Sequence, residues 1–268
     1  MTSKSSSTVP IHGNYHGYYT KRPFIQDPRL RLLPQNLFQN ARVLDLGCNE
    51  GWVTCEIAQT WGARRVIGVD IDETLVRAAW KRRRTVWSLR NSQAASMSTT
   101  GESELLDEEG VVDTEYFPAS CEHMFGPLPI PPLEDSACEA ASTTFPHNVS
   151  FQTADWVHQQ ISEDTEGYDV VVAFSISKWI HLNNGDEGLT RFFQRVHTVL
   201  KIGGVFVLEP QEWDTYAKAR RMDPKLRENA KDLKLRPEDF ERILQQMGFG
   251  RAEHLGKTGE GDLYRKVS

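Results

Sequence analysis

The chain has 268 residues, a length that allows one large or two small domains with a sizeable core. Of these residues 39% are hydrophobic and 25% are charged. No apolar run approaches the roughly 18 residues that a transmembrane helix needs, and the first residues lack the apolar segment of a secretory signal. The four cysteines lack metal-ligand spacing and are too few for a disulfide framework. The composition therefore predicts a globular protein of a reducing compartment, without a metal site and without a membrane partner.

The net charge of −6 is unevenly distributed along the chain. Residues 91–177 contain 16 acidic residues and no lysine or arginine, so the rest of the chain carries all 31 basic residues against 21 acidic ones. A basic body of this kind is compatible with a polyanionic partner such as a nucleic acid. The alternative for the densest basic run, Lys81 to Arg84, is the solvated end of a helix, where cations complement the helix dipole.

Periodicity and turn residues predict alternating strands and helices on either side of one long irregular segment. Before that segment, the predicted elements are a strand at 42–46, a helix at 51–61, a strand at 65–70 and a helix at 72–84. After it, they are strands at 148–152, 168–174 and 205–208, helices at about 186–200 and 237–247, and an antiparallel pair in the final residues. This alternation predicts an α/β fold with a doubly wound, mostly parallel sheet and helices on both faces.

The irregular segment spans residues 88–147. It is rich in Ser, Thr, Glu, Ala and Pro and contains a proline-rich run at 127–132, a composition typical of a disordered insertion. It is also longer than the loops of compact domains ordinarily are. We therefore predict a single domain at 12–268 that carries this acidic insertion and follows a flexible N-terminus at 1–11.

Ligands of doubly wound sheets bind beyond the carboxyl ends of the strands. The residues predicted to lie there are Gly47 to Asn49, Asp70 and Ile71, Asp155 and Trp156, Phe174 and Ser175, and Glu209 and Pro210. One cleft should gather them, with Glu209 either shaping the cleft wall or serving a purely structural role.

The first two strand ends form a nucleotide-binding motif. A strand runs into a glycine turn at 43–51, and Asp70 ends the next strand about 20 residues later, a spacing suited to holding ribose hydroxyls. Glycine lets the backbone turn tightly and approach a ligand. The pattern lacks the G-x-G-x-x-G of dinucleotide sites. With Asp45 two residues before Gly47, it resembles the first motif of S-adenosylmethionine (SAM) methyltransferases, and an ordinary strand-to-helix turn is the alternative.

Four further segments narrow this resemblance to one family. They are Gly13 to Tyr19, Asp27 to Leu33, Ser175 to Leu189 and Leu208 to Trp213. Together they resemble the Bin3 family of RNA methyltransferases, most closely its methylphosphate capping enzyme branch, over about residues 12–84 and 148–245. The resemblance implies a Rossmann-like class I SAM methyltransferase fold with a seven-stranded sheet. It also implies methyl transfer from SAM to the terminal γ-phosphate of a 5′-triphosphate RNA, usually a short RNA polymerase III transcript.

The resemblance implies a role for each matched residue at the cofactor end. SAM, which leaves as S-adenosylhomocysteine, would be bound by Tyr19, Arg29, Gly47, Cys48, Asn49, Asp70, Ile71, Asp155, Trp156 and Phe174. Arg29 would meet the methionine carboxylate, and Asp70 with Ile71 would hold the ribose and adenine. Asp155 and Trp156 depart from the Asn-Tyr that the family more often shows, a tolerable change because an acid near the adenine amino group is common in methyltransferases.

At the RNA end, Tyr18, Arg22 and Lys178 match the residues that hold the triphosphate in the capping branch. Few cations are expected there. A phosphate oxygen is already a nucleophile at neutral pH, and too much positive charge around it would lower its nucleophilicity. The candidate catalytic residues are Lys178, Tyr18 and His181, the last as a proton acceptor or phosphate ligand. Three of the residues at the RNA end also have a simpler interpretation: a packing role for Tyr18, an ordinary surface position for Arg22 and a structural hydrogen-bonding role for His181.

Three other functions stay open at this point. A sister branch of the family methylates 5′-monophosphate RNA, and a methyltransferase-like module could bind and stabilise an RNA end with little turnover. A small-molecule methyltransferase would leave the N-terminal tyrosines unexplained. The resemblance further implies nuclear residence, with the cytoplasm as a second compartment, protein partners in a ribonucleoprotein and a monomer when the chain is alone.

Overall fold

A computed structural model describes residues 9–19, 26–97, 121, 124–133, 142–257 and 262–267. Within these residues, strands form one sheet in the order β3-β2-β1-β4-β5-β7-β6. They are β1 (Arg42–Leu46), β2 (Arg65–Asp70), β3 (Val149–Thr153), β4 (Tyr168–Phe174), β5 (Leu200–Glu209), β6 (Glu253–Lys257) and β7 (Asp262–Val267). The first five strands pair in parallel and the last two join antiparallel to β5. The predicted doubly wound, mostly parallel sheet is confirmed.

Helices cover both faces of this sheet. In the described part of the chain they are α1 (Trp52–Thr60), α2 (Glu73–Met97), α3 (Ser177–Val199), α4 (Trp213–Ala219), α5 (Pro224–Asp232) and α6 (Phe240–Gln246), with short 3₁₀ turns at Leu30–Leu32, Ser162–Glu166 and Pro237–Asp239. None of these helices is both long enough and apolar enough to cross a membrane.

The central strand β4 shows how the core is divided. Successive side chains of a strand point to opposite faces, so Val170 and Val172 pack in one cluster with α1 and α2, whereas Val171 and Ala173 pack in another with α3 and α6. A strand covered on both faces is apolar along most of its length, which explains the run from Val170 to Phe174. Asp169, near the start of β4, is half-buried and forms an ion pair with Lys201. The two clusters fix the sheet rigidly and leave the loops after its carboxyl ends to form a site.

The second helix differs most from prediction. It continues to Met97 instead of ending at residue 84, so it takes up the first part of the predicted insertion. The Arg82 guanidinium lies 3.1 Å from the centroid of the Trp52 ring, and Arg83 Nε donates to the carbonyl of Pro146 at 2.7 Å. The basic run is therefore not the end of a helix, and only part of it is solvated: its two middle residues pack against the protein, whereas Lys81 and Arg84 are exposed.

The far end of the predicted insertion also belongs to the fold. Phe145 is buried in the core cluster on the α1 and α2 face, so ordered packing begins before residue 147. Most of the remaining insertion lies outside the described residues. α3 begins at Ser177, but its backbone is non-helical at Gly185, at φ 70° and ψ −173°, so it consists of two helices joined by a kink. The second of them follows Gly185 and ends at Val199, which confirms the helix predicted at about 186–200.

Candidate active site

A cavity of about 820 Å³ opens at the carboxyl ends of the parallel strands, where the topology predicts a ligand. The sequence-predicted residues that line it are Tyr18, Tyr19, Arg29, Gly47, Cys48, Asn49, Asp70, Ile71, Asp155, Trp156, Phe174 and Lys178. The structure therefore brings together most of the predicted site residues that it describes, Ser175 included, whereas His181, Glu209 and Pro210 do not line the cavity. Arg22 lies outside the described residues.

The glycine turn after β1 forms the floor of the cavity. Gly47 adopts φ 74°, and a Cβ added to it would lie 2.2 Å from the Ile176 side chain. The N–H groups of Gly47 and Cys48 both donate to the Val69 carbonyl, at 2.8 and 3.1 Å. Only glycine meets both demands at this position, a left-handed conformation and a close neighbour, and the two hydrogen bonds hold the turn against the end of β2.

Asp70, at the end of β2, is the acid that the motif predicts. Its carboxylate accepts the backbone N–H of Asn49 at 2.9 Å and that of Asp72 at 3.0 Å. Burial raises the pKa of Asp70. Nearby, Asn14 lines the cavity, and its side-chain nitrogen donates to Asp72 at 2.7 Å, while its buried Oδ1 has no hydrogen-bond partner among the described residues. A buried acceptor without a donor costs free energy, so this end of the cavity is suited to a ligand that brings hydroxyl or amino groups.

Arg29 is held by a buried network beside the floor. Its side chain donates to Asp27 at 2.7 and 2.9 Å, to Glu209 at 3.0 Å and to the Tyr19 hydroxyl at 3.1 Å. The guanidinium also lies 4.5 Å from the centroid of the Phe174 ring. Arg29 thus positions Tyr19 and Phe174 in the cavity wall, and two carboxylates offset its charge. Glu209 is buried and does not line the cavity, which favours the structural role over the cleft wall.

Lys178 follows β4 directly and is fixed from two sides. Its Nζ donates to Thr215 Oγ1 at 3.1 Å and lies 5.3 Å from the centroid of the Trp179 ring. Its backbone N–H donates to Gln211 Oε1 at 3.3 Å, and the Gln211 side-chain nitrogen donates to the Ser175 carbonyl. A lysine that is only 6% exposed and lines a cavity presents its charge to whatever enters.

His181 does not reach the cavity. It is fully buried, with Nε2 at 2.7 Å from Asp186 Oδ1 and Nδ1 at 3.2 Å from the Tyr216 hydroxyl. Burial lowers its pKa. Asp186 also accepts the backbone N–H of Lys234 at 2.9 Å. The predicted role as a proton acceptor or phosphate ligand is wrong, because both ring nitrogens are used to join the bend of α3 to the segments after it.

The N-terminal segment at 9–19 forms one wall of the cavity. Asn183 donates to the Ile11 carbonyl at 2.8 Å, and Asn49 donates to the Tyr15 carbonyl at 3.2 Å. The Tyr15 ring meets the Trp179 ring edge-on, with 5.8 Å between centroids. These contacts hold the segment across the ends of β1 and β4, so that Tyr18 at its far end faces the same space as Lys178.

Sequence analysis gave no role to several cavity-lining residues, two of them in matched segments and two on α4, a helix that it did not predict. They are Asn14, Gln211, Thr215 and Lys218. Thr215 and Lys218 are three residues apart and so share one face of α4. The spacing of Thr215 and Lys218, directly after the matched segment that ends at Trp213, was the signal from which these two residues could have been predicted.

The charges of the cavity are separated across the sheet. Asp70 and Asp155 follow β2 and β3, whereas Lys178 and Lys218 follow β4 and β5. Because β1 and its glycine turn lie between these pairs of strands, one half of the cavity is acidic and the other half is basic. Asp214, exposed on α4, is the exception in the basic half.

Comparison with known proteins agrees with this geometry. Residues 43–107 match a methyltransferase domain, and residues 168–268 match the family described as Bicoid-interacting protein 3 (Bin3). A probable RNA methyltransferase of Arabidopsis thaliana is 32% identical over 262 residues, which cover 96% of this chain and 78% of that protein. The chain belongs to the Bin3 family. The class I SAM methyltransferase fold predicted from the motifs is thereby confirmed.

Two further relatives distinguish the branches of the family. The 7SK snRNA methylphosphate capping enzyme of Mus musculus is 38% identical over 253 residues, which cover 90% of this chain but only 37% of that enzyme. The RNA 5′-monophosphate methyltransferase of Pongo abelii is 33% identical over 89 residues, which cover 29% of this chain and 30% of that enzyme. The Bin3 chain described here therefore spans little more than a third of the mouse enzyme, but matches it along most of its own length.

Proposed function

We propose that this Bin3 domain transfers a methyl group from SAM to the terminal phosphate at the 5′ end of a small noncoding RNA, giving a methylphosphate cap. The observation that carries the proposal is the separation of charge in one cavity, with Asp70 and Asp155 on one side of the glycine turn and Lys178 and Lys218 on the other. A cationic donor and an anionic acceptor would each meet groups of opposite charge.

The acidic half fits SAM. Asp70 has a buried carboxylate at the strand end where such sites hold ribose, the Gly47 turn allows close approach, and Asn14 offers an unused acceptor. The chemistry that SAM supplies is an electrophilic methyl group on a sulfonium. Tyr19 and Phe174, held by Arg29, would shape the wall at the methionine end.

The basic half fits a 5′ phosphate. A phosphate oxygen is ionised at neutral pH, so the residues around it need only hold it in line with the methyl group, and orientation alone can lower a barrier by several kcal/mol. Lys178, with its side chain fixed by Thr215, supplies a compact charge for this. Tyr18 supplies a hydroxyl, and the family resemblance adds Arg22. No general base is required, which agrees with the buried position of His181.

The extent of the similarity favours a triphosphate over a monophosphate end. The mouse capping enzyme matches 90% of the chain, whereas the orangutan monophosphate enzyme matches 29%. The similarity to the capping enzyme thus extends over most of the chain, whereas the similarity to the monophosphate enzyme covers less than a third of it. This supports the capping branch as the function of this chain.

A basic surface continues outward from the cavity and would follow the body of the RNA. Between residues 218 and 227 five basic side chains are exposed against one acid, Asp223. They are Lys218, Arg220, Arg221, Lys225 and Arg227. Replacing Arg220 and Arg221 with alanine should weaken binding of a hairpin RNA and lower the salt dependence of its affinity by about one phosphate contact per residue. A dinucleotide bearing a 5′-triphosphate should be unaffected, and the double variant Lys81→Ala/Arg84→Ala, on exposed residues of α2, is the matched control.

The experiment that tests the function measures methyl transfer from labelled SAM to one short RNA with a 5′-triphosphate, a 5′-monophosphate or a 5′-hydroxyl. Label on the triphosphate form alone, removable with its γ-phosphate, is the expected result. Transfer to the monophosphate form would assign the protein to the sister branch. RNA binding without transfer to any form would leave an RNA-end-binding module with little turnover.

Nuclear residence, protein partners in a ribonucleoprotein and a monomeric state when alone are part of the same proposal. They follow from the family, whose RNA substrates imply a place where such transcripts are made. Imaging of the tagged full-length protein and light scattering of the purified chain test the first and the last. Capture of RNA and protein together, with and without ribonuclease, tests the second.

A further inference from the structure

The proline-rich run inside the predicted insertion has a backbone restricted by its own sequence. Every residue from Pro127 to Pro132 either is a proline or immediately precedes one. Proline fixes φ near −65°, and a residue before proline is pushed out of the helical region towards extended or polyproline II conformations. The run is therefore strongly biased towards extended and polyproline II conformations before any tertiary contact forms.

A hydrogen bond anchors this run to the domain. The backbone N–H of Leu128 donates to Ser88 Oγ at 2.8 Å, and Ser88, fully buried on α2, donates in turn to the Arg84 carbonyl at 2.8 Å. Leu128 and Ile130 are half-buried, whereas Pro129, Pro131 and Pro132 are exposed. A polyproline II helix has three residues per turn, so Pro129 and Pro132 lie on the same edge, and that edge faces solvent.

Large apolar side chains are exposed on both sides of this edge. Met124 is 74% exposed, Phe125 is 79% exposed and Leu133 is 39% exposed, so three of the eight large hydrophobic residues exposed in the described chain lie within ten positions. Single exposed apolar residues are ordinary, but a cluster indicates an interaction site. The prolines have no N–H, so the backbone here chiefly offers carbonyl acceptors.

The charge around the run restricts the partner. Residues 91–177 contain no lysine or arginine and 16 acids, so the run lies in a stretch of chain that is entirely acidic. A groove with acidic groups on its rim would be repelled, and a groove with basic groups would be attracted.

We propose that residues 124–133 are a docking site for a protein module whose aromatic-lined groove binds a polyproline II helix and whose rim is basic. Aromatic rings of such a groove would pack against Pro129 and Pro132, and their N–H or O–H groups would donate to the carbonyls of the run. The anchor on Ser88 presents the helix already formed, which reduces the entropy lost on binding. The site is separate from the cavity and would attach the enzyme to another protein while the cavity remains open.

The test is calorimetry of the whole 268-residue chain with purified SH3, WW and EVH1 domains chosen in pairs, one with a basic and one with an acidic groove rim. A basic-rimmed domain should bind, and Pro129→Ala/Pro132→Ala should weaken that binding by at least about tenfold, or 1.4 kcal/mol. Pro127→Ala, at a half-buried position of the same run, is the matched control and should leave the affinity within about threefold.

Several results would overturn the proposal. They are binding by none of the domains, equal binding by the acidic-rimmed domains, and a double variant that binds as the unaltered chain does. Because neither exposed proline belongs to the core, the melting temperature and methyl transfer of the variants should match those of the unaltered chain. Loss of binding with a lowered melting temperature would assign the prolines a structural role instead.

Discussion

Arg29 and Glu209 form a buried ion pair, with 3.0 Å between Nη1 and Oε2, although 180 residues separate them in the chain. Asp27 contacts the same guanidinium at 2.7 Å, and all three side chains are less than 10% exposed. A buried charge is tolerated only when it is paired and hydrogen-bonded. The pair therefore ties the segment before the first strand to the end of β5, directly beside the cavity.

Replacing Arg29 with alanine should destabilise the fold as well as weaken SAM binding. The change leaves the carboxylates of Asp27 and Glu209 buried without their cation, a loss of about 3–5 kcal/mol in the free energy of unfolding. Urea denaturation measures this. Arg31→Ala, at an exposed neighbouring arginine, is the control and should change stability by less than about 0.5 kcal/mol. Equal effects of the two variants would show that the network does not stabilise the fold.

Replacing Lys178 with alanine should separate SAM binding from turnover. Its Nζ is held by Thr215 in the basic half of the cavity, away from the acidic half. We expect kcat/KM on triphosphate RNA to fall by about 10²–10³, as when one preorganised donor is removed from an active site. The Kd for SAM, measured by calorimetry, should stay within about twofold of the original value. Loss of SAM binding would contradict this assignment.

Replacing His181 with glutamine should lower stability and leave turnover nearly unchanged, in contrast to the lysine variant. Burial lowers the pKa of His181 below its ordinary value, so the folded state holds the ring neutral and binds fewer protons than the unfolded chain. The stability that this ring contributes is present above its ordinary pKa and lost as the pH falls below it. The unaltered protein should therefore be more stable than the glutamine variant at about pH 7, and this difference in stability should shrink as the pH falls to about 5. Thermal melting across that range checks the sign, and a large fall in kcat at saturating RNA would restore a catalytic role.

The contribution of Asp45 to stability should depend on pH with the opposite sign to that of His181. Burial raises its pKa to about 6, although the Thr54 hydroxyl donates to it at 2.6 Å and lowers the pKa in part. A raised pKa favours folding when the group is protonated, so this contribution is present below its ordinary pKa and is lost as the pH rises through 6. An amide at this position does not titrate. The Asp45→Asn variant should therefore gain stability relative to the unaltered chain from about pH 4 to about pH 7.5, by up to about 3 kcal/mol in urea denaturation. A stability difference independent of pH would show that the pKa of Asp45 is the same in the folded and unfolded states.

Local sequence was sufficient for the elements whose pattern is local. The strand at 168–174 was predicted to the residue, because its apolar run from Val170 to Phe174 is typical of a strand that is covered on both faces. The turn at Gly47 and the acid at Asp70 were predicted because a left-handed glycine and a strand-end carboxylate belong to one short motif. The helix ends were predicted less well, since nothing local stops α2 at residue 84.

The amino-acid sequence by itself thus determined the sheet, the cofactor turn and the family. Only the tertiary structure decided that Arg29 is paired with Glu209, that Lys178 is fixed by Thr215 and that His181 faces away from the cavity. Each of these depends on which distant segments meet. Such meetings are set by the packing of helices on the sheet, which no short-range pattern records.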